Sequence, residues 1–474
     1  MPKKLFVIST AGTSVLIRLL SWIFPLFLLI AGFEKATAQP TRLSIKEALQ
    51  KVQANLPQLE AFRQQASATQ QDIRLAKNSI VPDLTVGYQV NLATFNNITG
   101  MSYPGFLLPV SGPPSINNDL NFVPGSAAGA LIKWNPVSFG QRSAAIEKAT
   151  AQFKQANATY NEQLFQYQYN AINIYLEAVY YKHLLKNVQA AIDRNNTGLE
   201  QSLVLAKTGL RPGIDTSRFQ SAIAQSEIDF LQTERVYQQE LTELSRLTGI
   251  DSSAENIVLT DTLFNTTVMM PVDTVSYIIT HPYFQTLEAQ KNSTAASLKE
   301  IQKSWVPQLD IWGNIYSRGS GVDAAGHINK PDGFNLSRTN AGVGIQLSFP
   351  VLQYSKVNIK KRQYQSLLKA DEARLAQAQR DITKQTATAL QQYQQDIKIA
   401  GKSPVLLKAA TAVYEGLKLS YETGLTDYTQ LAQAQYELLK AEVNDANALL
   451  QLWRSLLAVA VAKGNLNLFT DQLK

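Results

Sequence analysis

The chain has no cysteine. That excludes a disulfide framework, a thiol nucleophile and any Cys-ligated metal. Histidine is scarce too. His183, His281 and His327 are the only three, they stand far apart, and no H-E-x-x-H or His/carboxylate cluster joins them. Neither a P-loop nor G-x-S-x-G occurs. Gly-Leu-Arg-Pro-Gly at 209–213 lacks the Lys-Ser/Thr ending of a phosphate loop and reads as a turn between helices. Four methionines, one of them the initiator, are too few for a Met-lined copper or silver path. With no set of residues suited to catalysis or cofactor binding, the chain is expected to be a non-enzyme with no cofactor.

Two further absences concern the membrane and nucleic acid. After residue 38 there is no run of 18 apolar residues, so no transmembrane helix is expected. If the chain crosses a bilayer, it does so with strands. The net charge is +7, of which the first 38 residues hold +3 (Lys3, Lys4, Arg18 and Lys35 against Glu34), leaving about +4. No Lys/Arg stripe with interleaved aromatics appears, so no nucleic-acid partner is expected.

The N-terminus has the layout of a secretory leader. Lys3 and Lys4 precede an apolar stretch clearest from Leu19 to Gly32, and Ala36-Thr37-Ala38 offers a cleavage site before Gln39. Residues 1–38 are therefore expected to be a signal peptide. No cysteine stands near the site to carry a lipid.

The remaining chain is written twice. Pro282 (in His-Pro-Tyr-Phe) follows Pro57 (in Leu-Pro-Gln-Leu) by 225 positions, and Pro307 follows Pro82 by 225. Pro350 follows Pro136 by 214, and Thr423-Gly424-Leu425 repeats Thr208-Gly209-Leu210 at 215. The drop of 11 places the length difference between Pro82 and Pro136, in one loop. Periods this long indicate a duplicated large unit rather than a solenoid. The first unit, 39–255, is expected to hold a helix at 44–78, strands at 82–95 and 125–137 around a loop at 96–124, a long helix at 140–207 and a helix at 215–248. The second unit, 256–474, repeats this. Its helix is expected at 272–303, its strands at 307–317 and 339–351 around a loop at 318–338, and its last two helices at 354–422 and 427–462.

The strands alternate. Leu84, Val86, Tyr88, Val90 and Leu92 are separated by mostly small or polar residues, as are Val343, Ile345 and Leu347. Trp312 and Tyr316 break the polar face of their strand. Period-2 alternation with small polar residues on one face suits a barrel with lipid outside and water inside. The competing reading is a half-buried soluble sheet. The Gly/Pro/Asn-rich loops suit the external loops of such a barrel. From Gln141 to Lys207 there is no proline, so this helix runs roughly 100 Å. From Ser355 to Thr423 only Gly401, Pro404 and Gly416 intrude, and Pro404 allows a bend near 401–404. Helices of this length need other long helices as partners.

Two hairpins supply four strands. About eight is the usual minimum for a closed barrel, and an open edge in lipid leaves backbone groups unpaired. Closure must come from other copies; three would supply twelve strands.

These residues resemble the TolC-type outer-membrane factor (outer membrane efflux protein) family over nearly the whole mature chain. The resemblance is carried by Leu43-Ser-Ile-Lys-Glu-Ala-Leu49, Asn55-Leu-Pro-Gln-Leu59, the Val-Pro strand entries at 81 and 306, Trp134-Asn-Pro-Val-Ser-Phe-Gly-Gln-Arg142, Tyr421-Glu-Thr-Gly424 and Leu431-Ala-Gln-Ala-Gln435. It implies a mixed α/β membrane protein, a homotrimer with a 12-stranded transmembrane β-barrel in outer-membrane lipid and a helical barrel with an equatorial belt in the periplasm. It implies an exit duct of a tripartite efflux pump or type I secretion system, passive, and served by a periplasmic adaptor and an inner-membrane transporter. The helix-turn tips at Gly209, Leu210, Gly424 and Leu425 would meet the adaptor. Asp215 and Tyr421 match linking positions of the family's periplasmic gate. The arginine expected two residues after the second turn glycine is Thr426, so an ion pair is lost there. Acidic pore-ring positions of some members are Gln430 and Gln433, which implies a weaker cation preference. Set against this duct is a periplasmic coiled-coil scaffold or adaptor with a soluble sheet.

Overall fold

The computed structural model describes residues 41–94, 96, 117–250, 257–261, 263, 278–323 and 325–473. The expected signal peptide and most of the loop at 96–124 lie outside these residues. Four strands form one antiparallel sheet: β2 (Asp83–Ala93), β3 (Val123–Val137), β5 (Gln308–Ser320) and β6 (Arg338–Ser348), in the order β2-β3-β5-β6. A short parallel pair joins β1 (Thr41–Leu43) to β4 (Ile257–Leu259). Proline punctuates the long strands because it cannot donate to a ladder. Pro136 coincides with a register shift between Trp134 and Val137. Pro350 follows the end of β6 at Ser348, three residues short of the expected end at 351.

The register separates two faces. Leu84, Val86 and Leu92 lie on one side with Ile132, Ile315, Val343, Ile345 and Leu347. All are exposed, Val343 by 82%. The opposite side carries Thr85, Gln89, Asn91, Asn314 and Gln346. Trp312 and Tyr316 lie on this polar side, and glycines make room for them. A Cβ on Gly344 would stand 2.7 Å from the Trp312 ring, and one on Gly129 2.7 Å from the Tyr316 Cβ. These aromatics therefore lie against bare backbone. Strands of 11–15 residues are long enough for the roughly 9–11 residues a tilted strand needs to cross a bilayer. Both sheet edges, β2 and β6, are unpaired among the described residues. Among the described residues no helix is long and apolar enough to cross a membrane.

The helices are α1 (Ile45–Asn55), α2 (Pro57–Asn78), α3 (Gln141–Lys207), α4 (Ile214–Thr248), α5 (Pro282–Lys303), α6 (Gln353–Glu422), α7 (Tyr428–Ala462) and α8 (Asn467–Thr470). The single helix expected at 44–78 is two. Leu56 adopts an extended φ of −73° and ψ of 115°, because the ring of Pro57 disfavours helical backbone in the residue before it. Ser44 and Glu47 close α1 with a reciprocal capping box. The helix expected from 272 starts at Pro282, where the ring suits a first-turn position; 272–277 lie outside the described residues. α6 continues through Pro404 as one helix.

α3 packs along α4, and α6 along α7; α2 and α5 lie against α3, and α5 also against α6. The main core sits midway along the long helices. It gathers Ile172, Tyr175 and Leu176 of α3, Leu241 and Leu244 of α4, Tyr393 of α6, and Trp453, Leu456 and Leu457 of α7. Burying each such side chain contributes about 1.5–3 kcal/mol. The β1–β4 pair is stitched into this core. The Tyr175 hydroxyl donates to the Leu43 carbonyl at 2.8 Å, and the Trp453 indole N–H donates to the Leu263 carbonyl at 3.0 Å.

Candidate functional site

Each long helix turns back on itself at the end remote from the sheet. Both turns are made the same way. Gly209 and Gly424 take φ of +76° and +83°, a region open to glycine and costly for residues with a Cβ. The N–H of Leu210 donates to the Leu205 carbonyl and that of Gly209 to Ala206; Leu425 donates to Ser420 and Gly424 to Tyr421. This is the Schellman cap, which satisfies carbonyls a helix end leaves free. In that motif the residue after the glycine usually packs back onto its helix. Here Leu210 and Leu425 are 72% and 83% exposed, so two leucines project from the tip.

Behind the tips, the hairpins from the two repeats are joined side by side. Tyr421 is fully buried, and its hydroxyl donates to Asp215 Oδ2 at 3.2 Å. Asp215 lies in the first turn of α4 and is 5% exposed, with Arg218 Nη1 3.8 Å away. Phe219 sits edge-on to Tyr421 and Tyr428, its ring 6.1 and 4.8 Å from theirs. It fits because Gly198 of α3 has no side chain; a Cβ there would stand 2.2 Å from the ring. Burial, followed by the nearby Asp215 charge, pushes the Tyr421 hydroxyl up to about 12. It therefore remains a donor across the physiological range.

Arg211 comes from the first turn and crosses to the second. Its guanidinium lies 4.9 Å from the centre of the Tyr421 ring. Its Nη2 donates to the Tyr421 carbonyl at 3.4 Å and to the Thr426 carbonyl. Arg218 stands 5.5 Å over Tyr428. Further along, Gln201 donates to Glu422 at 2.6 Å. Arg194 grips both oxygens of Glu442, each at 2.9 Å. Every one of these links runs from the first repeat to the second.

Behind those tips, the gate and ring residues expected from the sequence fall into three groups. Asp215 and Tyr421 meet directly. Thr426 meets the cluster through its backbone carbonyl, while its hydroxyl donates to Gln430 Oε1 at 2.5 Å. Gln430 and Gln433 are exposed on α7. The Gln430 N–H caps onto Asp427 at 3.0 Å, and Gln433 donates to Glu437 at 2.8 Å, so the neutral pair is flanked by acids. Sequence reasoning missed Arg211 and Arg218. The one available sign was an arginine standing between the turn glycines 209 and 213. Its acceptors are carbonyls, and every residue has one. Among the described residues no group of His, Asp and Glu is placed to hold a metal.

The outer membrane efflux protein family profile matches residues 277–465. No curated protein matches by sequence. Among solved structures, CusC aligns with a TM-score of 0.72 and 12% identity, over 89% of this chain and 92% of its own. The outer-membrane channel OprN aligns at 0.69 and 15%, over 89% and 90%. The outer membrane protein VceC of Vibrio cholerae aligns at 0.68 and 14%, over 89% and 96%. At these identities the likeness carries the fold.

Proposed function

We propose that three copies of this chain form the passive exit duct of a tripartite pump or type I secretion system, set in the outer membrane and reaching into the periplasm; the match of residues 277–465 to the outer membrane efflux protein family supports this reading. The carrying observation is the four-stranded sheet, open at β2 and β6 and apolar on one exposed face. Unpaired edges in lipid cost several kcal/mol for each orphaned group. Three sheets joined edge to edge remove every edge and leave a water-filled lumen. A soluble periplasmic scaffold would instead hold that apolar face in water.

The tip supports a gate. In the closed arrangement Tyr421–Asp215, Arg211–Thr426 and Arg194–Glu442 hold the second hairpin against the first. An adaptor engaging the projecting Leu210 and Leu425 would draw the hairpins apart, aided by the apolar area it covers. Gln430 and Gln433 would line the narrowed mouth, where their neutrality reduces the field a ring of carboxylates would set. Purified protein should migrate as an SDS-resistant trimer and conduct in planar bilayers. A monomer without lipid affinity would overturn the duct; a conducting trimer that cannot be crosslinked at Leu425 to any periplasmic protein in cells would overturn the adaptor-driven part.

A further inference from the structure

The base of the sheet carries charges that the fold itself does not use. β6 ends at Ser348, and Phe349, Val351, Leu352 and Tyr354 follow it, all exposed, Leu352 by 93%. The Trp305 ring stands 6.0 Å from Phe349 and 5.9 Å from Tyr354, edge to face in both cases. Aromatics collected at the end of an apolar strand face mark the water–lipid boundary. Immediately below, α6 begins with Lys356, Lys360, Lys361 and Arg362, and no Asp or Glu occurs between Phe349 and Ala370. At 1.5 Å per residue these cations lie roughly 3–12 Å beneath Tyr354. That is about the depth of the headgroup layer, and lysine side chains reach upward along it.

Helix physics opposes this placement. The first turns of a helix favour anions, and Lys356 and Lys360 are like charges four residues apart. The first repeat provides the comparison within the same chain. At the offset of 214 set by Pro136 and Pro350, Arg142 corresponds to Lys356, Glu147 to Lys361 and Lys148 to Arg362. There the charges are spent internally. Arg142 donates to the carbonyls of Ser79 and Asn135 at 3.3 and 2.6 Å, Lys148 pairs with Glu300 at 2.9 Å, and Glu147 pairs with Lys299. In the second repeat none of the four cations forms an ion pair among the described residues.

We propose that Lys356, Lys360, Lys361 and Arg362, below the Trp305–Phe349–Tyr354 cluster, form a collar that binds the phosphates of anionic glycerophospholipids in the periplasmic leaflet. The inference rests on the outer-membrane reading. The collar is continuous with the lipid-facing sheet, its charge is complementary to the headgroups, and it lies at the helical end, opposite the external loops. Cations at a membrane surface each raise anionic-lipid affinity by roughly fivefold.

The test places the full protein in nanodiscs of equal parts phosphatidylcholine and phosphatidylglycerol and counts retained lipids by native mass spectrometry. The unaltered protein should retain phosphatidylglycerol several-fold over phosphatidylcholine, and added salt should reduce the excess. K356Q/K360Q/K361Q/R362Q should bring the ratio near one. The same number of lysines replaced by arginine at 356, 360 and 361 should preserve it, and K398Q/K402Q/K408Q, exposed cations farther down the same helix, should leave it unchanged. An equal excess in the collar variant, or no excess in the unaltered protein, overturns the collar. Retained conductance of the collar variant in neutral bilayers leaves the channel reading intact in that event. Failure of the unaltered protein to insert into either lipid overturns both.

Discussion

Replacing Arg211 with alanine is the most informative perturbation of the proposed gate. The side chain makes one strong contact, to the Thr426 carbonyl, and a long one of 3.4 Å to the Tyr421 carbonyl from the same nitrogen. A hydrogen bond from a charged donor contributes about 1.5–3 kcal/mol, and the half-buried position of Arg211 argues for the lower end. The stacking on Tyr421 adds about 0.5–1 kcal/mol. The closed arrangement then loses about 2 kcal/mol per protomer, roughly a 30-fold change in the closed-to-open ratio. If three tips open together, the losses add to about 6 kcal/mol, more than about 10⁴-fold. Single-channel recording in planar bilayers reads the open probability directly, and its size separates independent from concerted opening. Arg211→Lys retains the charge without the planar stacking and should fall between. Unchanged open probability in a variant whose circular dichroism and melting match the parent would refute the latch.

Four further outcomes follow from the tip. Tyr421→Phe removes only the hydroxyl and leaves the buried Asp215 without its nearest donor, at a cost of about 1–3 kcal/mol, so it too should raise open probability. The folded-state Tyr421 sits at about 12, above its ordinary 10; its contribution is therefore complete below pH 10 and lost as pH rises through 12. Leak in the parent should be flat from this source up to pH 10 and climb above it, while Tyr421→Phe shows no such alkaline step. Gln430→Asp with Gln433→Asp should strengthen cation selectivity and introduce block by trivalent cations, whereas the parent should show little of either; reversal potentials under a salt gradient measure this. Leu210→Asp with Leu425→Asp should abolish tip crosslinking to a periplasmic adaptor while leaving trimer migration on SDS gels unchanged.

The tip shows where reading by sequence stops. The turn glycines were legible because a left-handed backbone position has few occupants, and both repeats carry the same Thr-Gly-Leu. Asp215 and Tyr421 came from the family resemblance, which placed them by their distance from those glycines, and the structure brings the two side chains into contact. The break at Leu56 was available in principle, since Pro57 stands inside the apolar pattern, but continuous periodicity on both sides concealed it. β1 and β4 had no such signal. Each is three residues long, and they pair across more than 200 positions, too short for alternation to register.

By itself the sequence determined the duplicated unit, the alternating strands and the two very long helices, because these are statements about periodicity, and periodicity is local. It also showed that a sheet of four strands is too small to close a barrel unaided. Only the tertiary structure decided which charges are spent and which are free. Arg142 and Lys356 occupy equivalent places in the two repeats, yet one is bound to backbone carbonyls and the other is exposed and forms no ion pair among the described residues. Arg211 latches onto carbonyls that carry no residue identity. A side chain's chemistry can be read from its letter, whereas its partner is fixed by packing between segments far apart in the chain.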